Sequence, residues 1–358
     1  MLVYNIGQLL ALPDLYEQAF LRIENGKIAA IGPMSQAPPI QAHDIDAKGQ
    51  VVMPGFVDCH THLAHAGGMS GTFADRCNAV EAITEADLRN AIESRLAFMQ
   101  SLGTTTVEIK TGYATSEAAV QKCLAAIPQR PSVVSTEMSP LAETTNPSWL
   151  LHNKPRFVDA LCDPEGLSVD QLRAPLTSMK TPVKLHVCVS APSNGVQLAL
   201  DVNAISVEHL LHANQHDVEL LSRSNTIAVL LPAMAFLSKA GRFAPARALL
   251  DAGVTVALAT DANPGDSPTY SMPFVMQLAM CEMKMTAFET ICAATLNAAK
   301  AIHEDHRVGS LVPGKDADFL ILASKDYRDL PPVERVFKSG QECLRTYAAD
   351  ASAPASFF

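Results

Sequence analysis

Nowhere in the 358 residues is there a run of about 18 uninterrupted apolar residues, which removes the simplest signature of a membrane-spanning helix. The first residues, Met1 to Glu17, carry neither the basic stretch nor the small-residue cleavage site of a secretory signal, so a cytoplasmic protein is expected. No block of lysine or arginine stands out. With 27 basic against 37 acidic residues and a formal charge of -10, neither a nucleic-acid backbone nor an anionic membrane surface is the expected partner. The eight cysteines, Cys59, Cys77, Cys123, Cys162, Cys188, Cys281, Cys292 and Cys343, include no CxxC pair and read as reduced, buried thiols. No solenoid repeat or low-complexity tract is visible. What is present is 48% hydrophobic and 18% charged residues, a globular composition that excludes disorder.

Between residues 51 and 303 short β-branched runs alternate with longer amphipathic stretches, the rhythm of βα units around a parallel sheet. Eight runs are legible: Phe56 to Asp58, Thr104 to Ile109, Ser132 to Thr136, Phe157 to Cys162, Val183 to Val189, Ile205 to Glu208, Thr226 to Leu231 and Val254 to Ala259. Eight is the number that closes a (β/α)8 TIM-like barrel. Helices are expected over Glu85 to Leu102, where Leu88, Ala91, Ile92, Leu96 and Met99 form an apolar stripe, and over Ser116 to Ile127, Ser168 to Met179, Gln215 to Ser222 and Thr286 to Ile302. Thr286 with Glu289 has capping-box spacing. The ends differ in character. Residues 1–52 are strand-like pieces with an Asn25-Gly26 hairpin signal, and residues 307–358 repeat that style, so the expectation is an α/β protein with a barrel over 53–306 and a small β-sandwich domain built from both termini.

In such a barrel the chemistry collects at the C-terminal strand ends. The first run ends in Asp58-Cys59-His60-Thr61-His62, and residues two apart on an extended segment project to one side, so His60 and His62 can converge on a metal. Alone, this pair suits a hydrogen-bonded surface pair equally well. His186 sits inside an apolar run, where a satisfied core histidine is the ordinary explanation; His209 ends the sixth run, and Asp261 closes the eighth, a costly place for an unpaired carboxylate. Taken jointly, histidines and an aspartate at four strand ends are the ligand inventory of a hydrolytic divalent-metal site. Glu137 offers a replacement acid or base or a helix cap, His65 a pocket wall or surface residue, and Lys110 a structural group. His212, His216, His303 and His306 read as solvated, and Met272, Met276, Met280, Met283 and Met285 as core packing.

The string Pro54 to Leu63, with His186, His209 and Asp261, resembles the amidohydrolase superfamily. Val107 to Tyr113, Val229 to Pro232, Ala257 to Pro264, Thr295 to Ala299 and Gly309 to Asp318 narrow the resemblance to its imidazolonepropionases, over nearly the whole chain. That family opens the ring of 4-imidazolone-5-propanoate to N-formimidoyl-glutamate in histidine degradation. The resemblance implies one zinc or iron ion held by His60, His62, His186 and Asp261, with Asp261 also taking a proton from the attacking water and His209 orienting the nucleophile and stabilising the developing oxyanion. It implies a small cyclic substrate lined by Tyr113, Arg76, Asn263 and Gly265. A homodimer is the default expectation because twofold oligomers are the commonest.

Departures accompany the matches. Val189 stands where the family commonly has Glu or Gln, Leu141 where it has His, Met69 where it has Arg, and Asp266 where a small hydroxyl residue is usual. Two alternatives therefore stay open: an amidohydrolase of altered specificity on another cyclic amide or heterocycle, and a metal-retaining homologue that binds without turnover.

Overall fold

The computed structural model describes residues 1–68, 71–138, 155–164, 166–329 and 332–343; Met69, Leu141 and the isolated Trp149 lie outside them. The chain opens with strands β1 (Leu2–Leu10), β2 (Leu15–Glu24), β3 (Lys27–Pro33), β4 (Ile45–Asp46) and β5 (Val51–Pro54). Then come eight strands, β6 (Phe56–Asp58), β7 (Thr104–Lys110), β8 (Val133–Met138), β9 (Phe157–Cys162), β10 (Val183–Val187), β11 (Ser206–His209), β12 (Ile227–Leu230) and β13 (Val256–Leu258). Strands β14 (Phe319–Leu322), β15 (Val333–Lys338) and β16 (Gln341–Glu342) end the described chain.

Strands β6 to β13 form one parallel sheet in sequence order, the TIM-like barrel that the eight runs predict. Its ends meet just beyond the strands themselves. Asp261 N donates to the His60 carbonyl at 3.1 Å, and His62 N donates to the Ala262 carbonyl at 3.0 Å. Below them the buried Asp58 carboxylate accepts from the Thr260 hydroxyl at 2.6 Å and from its backbone N–H at 3.2 Å. The seam that closes the barrel thus runs through the candidate ligands.

The second sheet joins both ends of the chain in the order β16-β15-β14-β5-β1-β2-β3, with β4 beside β1. Asn25 (φ 51°) and Gly26 (φ 74°) both take left-handed backbone in the β2–β3 hairpin, the conformation its tight turn demands. Ile6, Leu9, Leu21 and the stacked pair Phe319 and Phe337, 4.3 Å between centroids, fill the core of this sheet.

Around the barrel lie α1 (Phe73–Ala82), α2 (Glu85–Ser101), α3 (Glu117–Ala126), α4 (Val169–Thr177), α5 (Gly195–Asp201), α6 (Gln215–Ser222), α7 (Pro232–Leu237), α8 (Ala246–Asp251), α9 (Met272–Met283), α10 (Ala287–Ala293) and α11 (Leu296–Ala301). Thr84, Ser116, Ser168, Asn214 and Thr286 cap their helices by side-chain acceptance of a first-turn N–H. The single helix expected over Thr286 to Ile302 is two. Thr295 leaves helical geometry (φ -134°, ψ -88°), and the break turns the Ala294 carbonyl to accept Val57 N at 2.9 Å, tying α10 to the first barrel strand. The strand expected to reach Val189 stops at Val187 because Cys188 is left-handed (φ 52°) and Asp163 takes the Val189 N–H at 2.8 Å. All eight cysteines are free thiols, five of them buried, while Cys281 is exposed. Among the described residues no helix is long and apolar enough to cross a membrane.

Gly103 (φ 103°) turns α2 into β7, and a Cβ there would stand 3.0 Å from Phe56 Cδ2 and 3.2 Å from Leu320 Cδ1. Gly103→Ala is therefore expected to destabilise the fold by about 1–3 kcal/mol, seen as a lower denaturant midpoint at unchanged slope.

Candidate metal centre

The first barrel strand delivers His60 and His62, both buried, into the mouth of the barrel. His60 Nδ1 lies 2.6 Å from Glu208 Oε2, a charge contact that favours the ring proton on Nδ1 and leaves Nε2 its lone pair. This Nε2 stands 3.3 Å from His62 Nε2 and 3.3 Å from Asp261 Oδ1, while His62 Nε2 is 3.4 Å from the same oxygen. One proton on His62 would serve one side of this triangle and leave the other acceptors facing each other. A cation serves all three, which is why the residues fit a metal ion.

His186 is prepared in the same way. Its Nδ1 is 3.0 Å from Asp159 Oδ1, and its buried Nε2 has no hydrogen-bond partner among the described residues. The His186 ring sits 4.6 Å from that of His60 and 4.9 Å from that of His209. Among the described residues three overlapping groups of possible metal ligands result: His60 with His62 and Asp261, His60 with His186 and His209, and, one layer deeper, His186 with Asp159 and Glu208. Burial pushes the imidazoles of His60 and His209 well below their ordinary range and that of His62 down to about 3, favouring the neutral, ligating form. Burial, and then the nearby Asp266, pushes the Asp261 carboxyl well up.

Left-handed backbone at strand exits aims these groups. His209 (φ 75°) and Asp261 (φ 53°) both leave their strands in a conformation that costs a non-glycine residue about 1–3 kcal/mol, concentrated here at the barrel mouth.

Tyr113 packs edge-on against His62 with 6.0 Å between ring centroids and donates its hydroxyl to Asn263 Oδ1 at 3.3 Å. Asn263 Oδ1 also accepts the N–H groups of Gly265 (2.8 Å) and Asp266 (2.9 Å), and its Nδ2 donates to the Asp261 carbonyl at 2.7 Å. Asn263 therefore holds the ligand loop in shape. Gly265 admits Arg76, whose Nη1 would lie 2.9 Å from any Cβ there, and exposed Asp266 adds negative charge beside them. His65 is a buried wall beside Tyr113, at 6.4 Å between centroids. Val189 packs on apolar neighbours beside the barrel mouth. Glu137 is buried, neither carboxylate oxygen has a hydrogen-bond partner among the described residues, and burial together with Glu117 lifts its carboxyl to about 8.

Beneath the histidines lies a cluster that the sequence reading reached only at Lys110. Lys110 Nζ is 2.6 Å from Asp159 Oδ2, 3.0 Å from Glu208 Oε2 and 3.5 Å from Glu108 Oε1. Lys184 Nζ bonds Glu108 Oε2 and lies 3.0 Å from Glu208 Oε1. All five side chains are fully buried. Against burial, which would raise them, His186 and Lys110 hold the Asp159 carboxyl low, and Lys110 and Lys184 hold that of Glu208 well below its ordinary range. The available signal was a charged residue inside each of four apolar runs, at alternate positions that face the barrel interior.

Residues 51–172 and 180–343 match the model of the amidohydrolase family. The imidazolonepropionase of Chloroflexus aggregans is 35% identical, with 89% of each chain covered, and that of Geobacillus kaustophilus 37% identical, with 88% of this chain and 86% of the relative covered. In fold, the chain is similar to 5-methylcytosine deaminase from Klebsiella pneumoniae (TM-score 0.78, 19% identity, 99% and 100% coverage). It is also similar to a zinc-bound adenosine deaminase from Xanthomonas campestris (TM-score 0.70, 17% identity, 95% and 92% coverage).

A Cβ on Gly112 would fall 2.5 Å from His62 Nδ1 and 3.0 Å from Met138 Sδ. Gly112→Ala is expected to displace His62 and, like His186→Ala, to lower metal content by elemental analysis; full occupancy in both would refute the ligand set. The raised Glu137 carboxyl, about 8 against an ordinary 4.5, favours the protonated form in the fold. Its contribution to stability is intact below pH 4.5 and is lost progressively as the pH climbs to 8. Glu137→Gln should remove that slope, gaining roughly 2 kcal/mol at pH 8 after allowance for solvent screening, as thermal melts across pH would show.

Proposed function

The chain belongs to the amidohydrolase family and, within it, to the imidazolonepropionases, and from that premise we propose that it hydrolyses the ring C–N bond of 4-imidazolone-5-propanoate to give N-formimidoyl-glutamate. The observation that carries the reading is the triangle of two imidazole nitrogens and one carboxylate oxygen at 3.3–3.4 Å, with two more histidines beside it, built at the mouth of the barrel.

We assign His60, His62, His186 and Asp261 as the residues that hold one divalent ion, zinc or iron, both of which suit imidazole and carboxylate ligands. When bound, such an ion supplies Lewis acidity and brings the pKa of water toward about 7. Asp261 accepts the proton of the attacking water, a role supported by its Oδ1 standing 3.3 Å from His60 Nε2 and 3.4 Å from His62 Nε2 at the barrel mouth. His209, whose buried Nδ1 has no hydrogen-bond partner among the described residues, orients the nucleophile and stabilises the oxyanion that develops on the ring carbon. Asp261 then returns the proton to the leaving ring nitrogen, so the C–N bond breaks with protons in balance. Tyr113 and Gly265 wall the substrate, Asn263 shapes the loop, and Arg76 supplies positive charge for the propionate.

Two observations favour a second reading. Val189 packs among apolar side chains, and Asp266 as well as Arg76 lies close enough to Tyr113 to act on its hydroxyl, a pocket compatible with another cyclic amide lacking the carboxylate tail.

Metal content measured beside an absorbance assay for loss of the imidazolone ring tests both. About one equivalent of zinc or iron with turnover supports the first reading; metal with turnover only on other cyclic amides supports the second. Asp261→Asn is expected to lower kcat by about 10²–10⁴ while losing less metal than His186→Ala. Equal activity of Asp261→Asn and the parent would remove Asp261 from the mechanism.

A further inference from the structure

The ion pairs beneath the metal centre converge on one atom. Lys110 Nζ touches Asp159 Oδ2 at 2.6 Å and Glu208 Oε2 at 3.0 Å, and each of those carboxylates also meets histidine: Asp159 Oδ1 lies 3.0 Å from His186 Nδ1, and Glu208 Oε2 lies 2.6 Å from His60 Nδ1 and 3.7 Å from His186 Nδ1. Lys184 braces Glu208 from the other side, and Ser206 Oγ donates to Glu208 Oε1 at 3.0 Å, but among the described residues neither of them reaches Asp159.

We propose that Lys110 is a positioning residue for the metal centre, a single ammonium that clamps Asp159 and Glu208 together and through them fixes the rings of His186 and His60. The backbone supports the clamp: Lys110 N donates to the Thr61 carbonyl at 2.8 Å, and the Thr61 hydroxyl donates to the Glu108 carbonyl at 2.6 Å, so the strand bearing Lys110 is tied to the segment between the two ligand histidines. A lone carboxylate behind each histidine would set its tautomer. A shared cation sets the distance between the two, and with it the spacing of two Nε2 atoms on different strands. The inference rests on the metal reading above.

The test is zinc affinity of the whole protein, measured by competition with a chromophoric chelator, together with the visible spectrum of the cobalt-substituted protein, which reports ligand geometry. Lys110→Met and the isosteric Asp159→Asn are each expected to weaken zinc binding by about ten- to a hundredfold and to alter the cobalt spectrum. Because Lys110 acts on His186 through Asp159, the double variant should fall short of the product of the two single losses. A purely structural role predicts lower melting temperatures of the metal-free variants with unchanged zinc affinity and cobalt spectrum, and that result overturns the proposal. Unchanged affinity in Asp159→Asn alone also overturns it, so the test stands even if Lys110→Met does not fold. If the parent itself takes up no zinc or cobalt, the metal reading fails; if it binds one equivalent and both variants match it, only the role of Lys110 fails.

Discussion

Closing the barrel between its first and last strands is the constraint on which the site depends. Residues 60 and 261 are far apart in the chain, yet Asp261 N reaches the His60 carbonyl at 3.1 Å and His62 N reaches the Ala262 carbonyl at 3.0 Å. Those two backbone bonds are the seam, and the side chains they carry make the acceptor triangle. An open sheet with the same strands would leave His60 and Asp261 on opposite edges.

The cost of closing lies in what the barrel then encloses. Three carboxylates and two lysines are taken wholly out of water, a transfer that is unfavourable unless each charge finds good partners. Here each does, and the arrangement does more than neutralise. Asp159 receives His186 Nδ1 at 3.0 Å and Glu208 stands 2.6 Å from His60 Nδ1, so a structural cluster becomes the outer layer of the candidate metal centre. Left-handed backbone at His209 and Asp261 is the second expense at the same place, since ordinary strand geometry would not aim both groups inward.

The pocket beyond the ion is less uniform. Asn263 spends both ends of its amide on its own loop, which makes it a scaffold as much as a contact, while Gly265 leaves room for the Arg76 guanidinium. Val189 lies in an apolar neighbourhood and offers no titratable group there.

The residues alone determined the barrel and its strand-end histidines, because β-branched runs spaced by amphipathic helices, capped by Thr84, Ser168 and Thr286, are local signals that survive in one dimension. Local propensity could not show the split of the expected helix at Thr295, since the break serves a carbonyl bond to Val57 far away in the chain. Nor could it pair Lys110 with Asp159 and Glu208: the three lie on three different strands, and only the closed barrel decides which charges share an interior layer. Side-chain identity chose the ligands, and tertiary closure chose their partners, because hydrogen bonds and ion pairs depend on distances of a few ångströms that sequence separation does not encode.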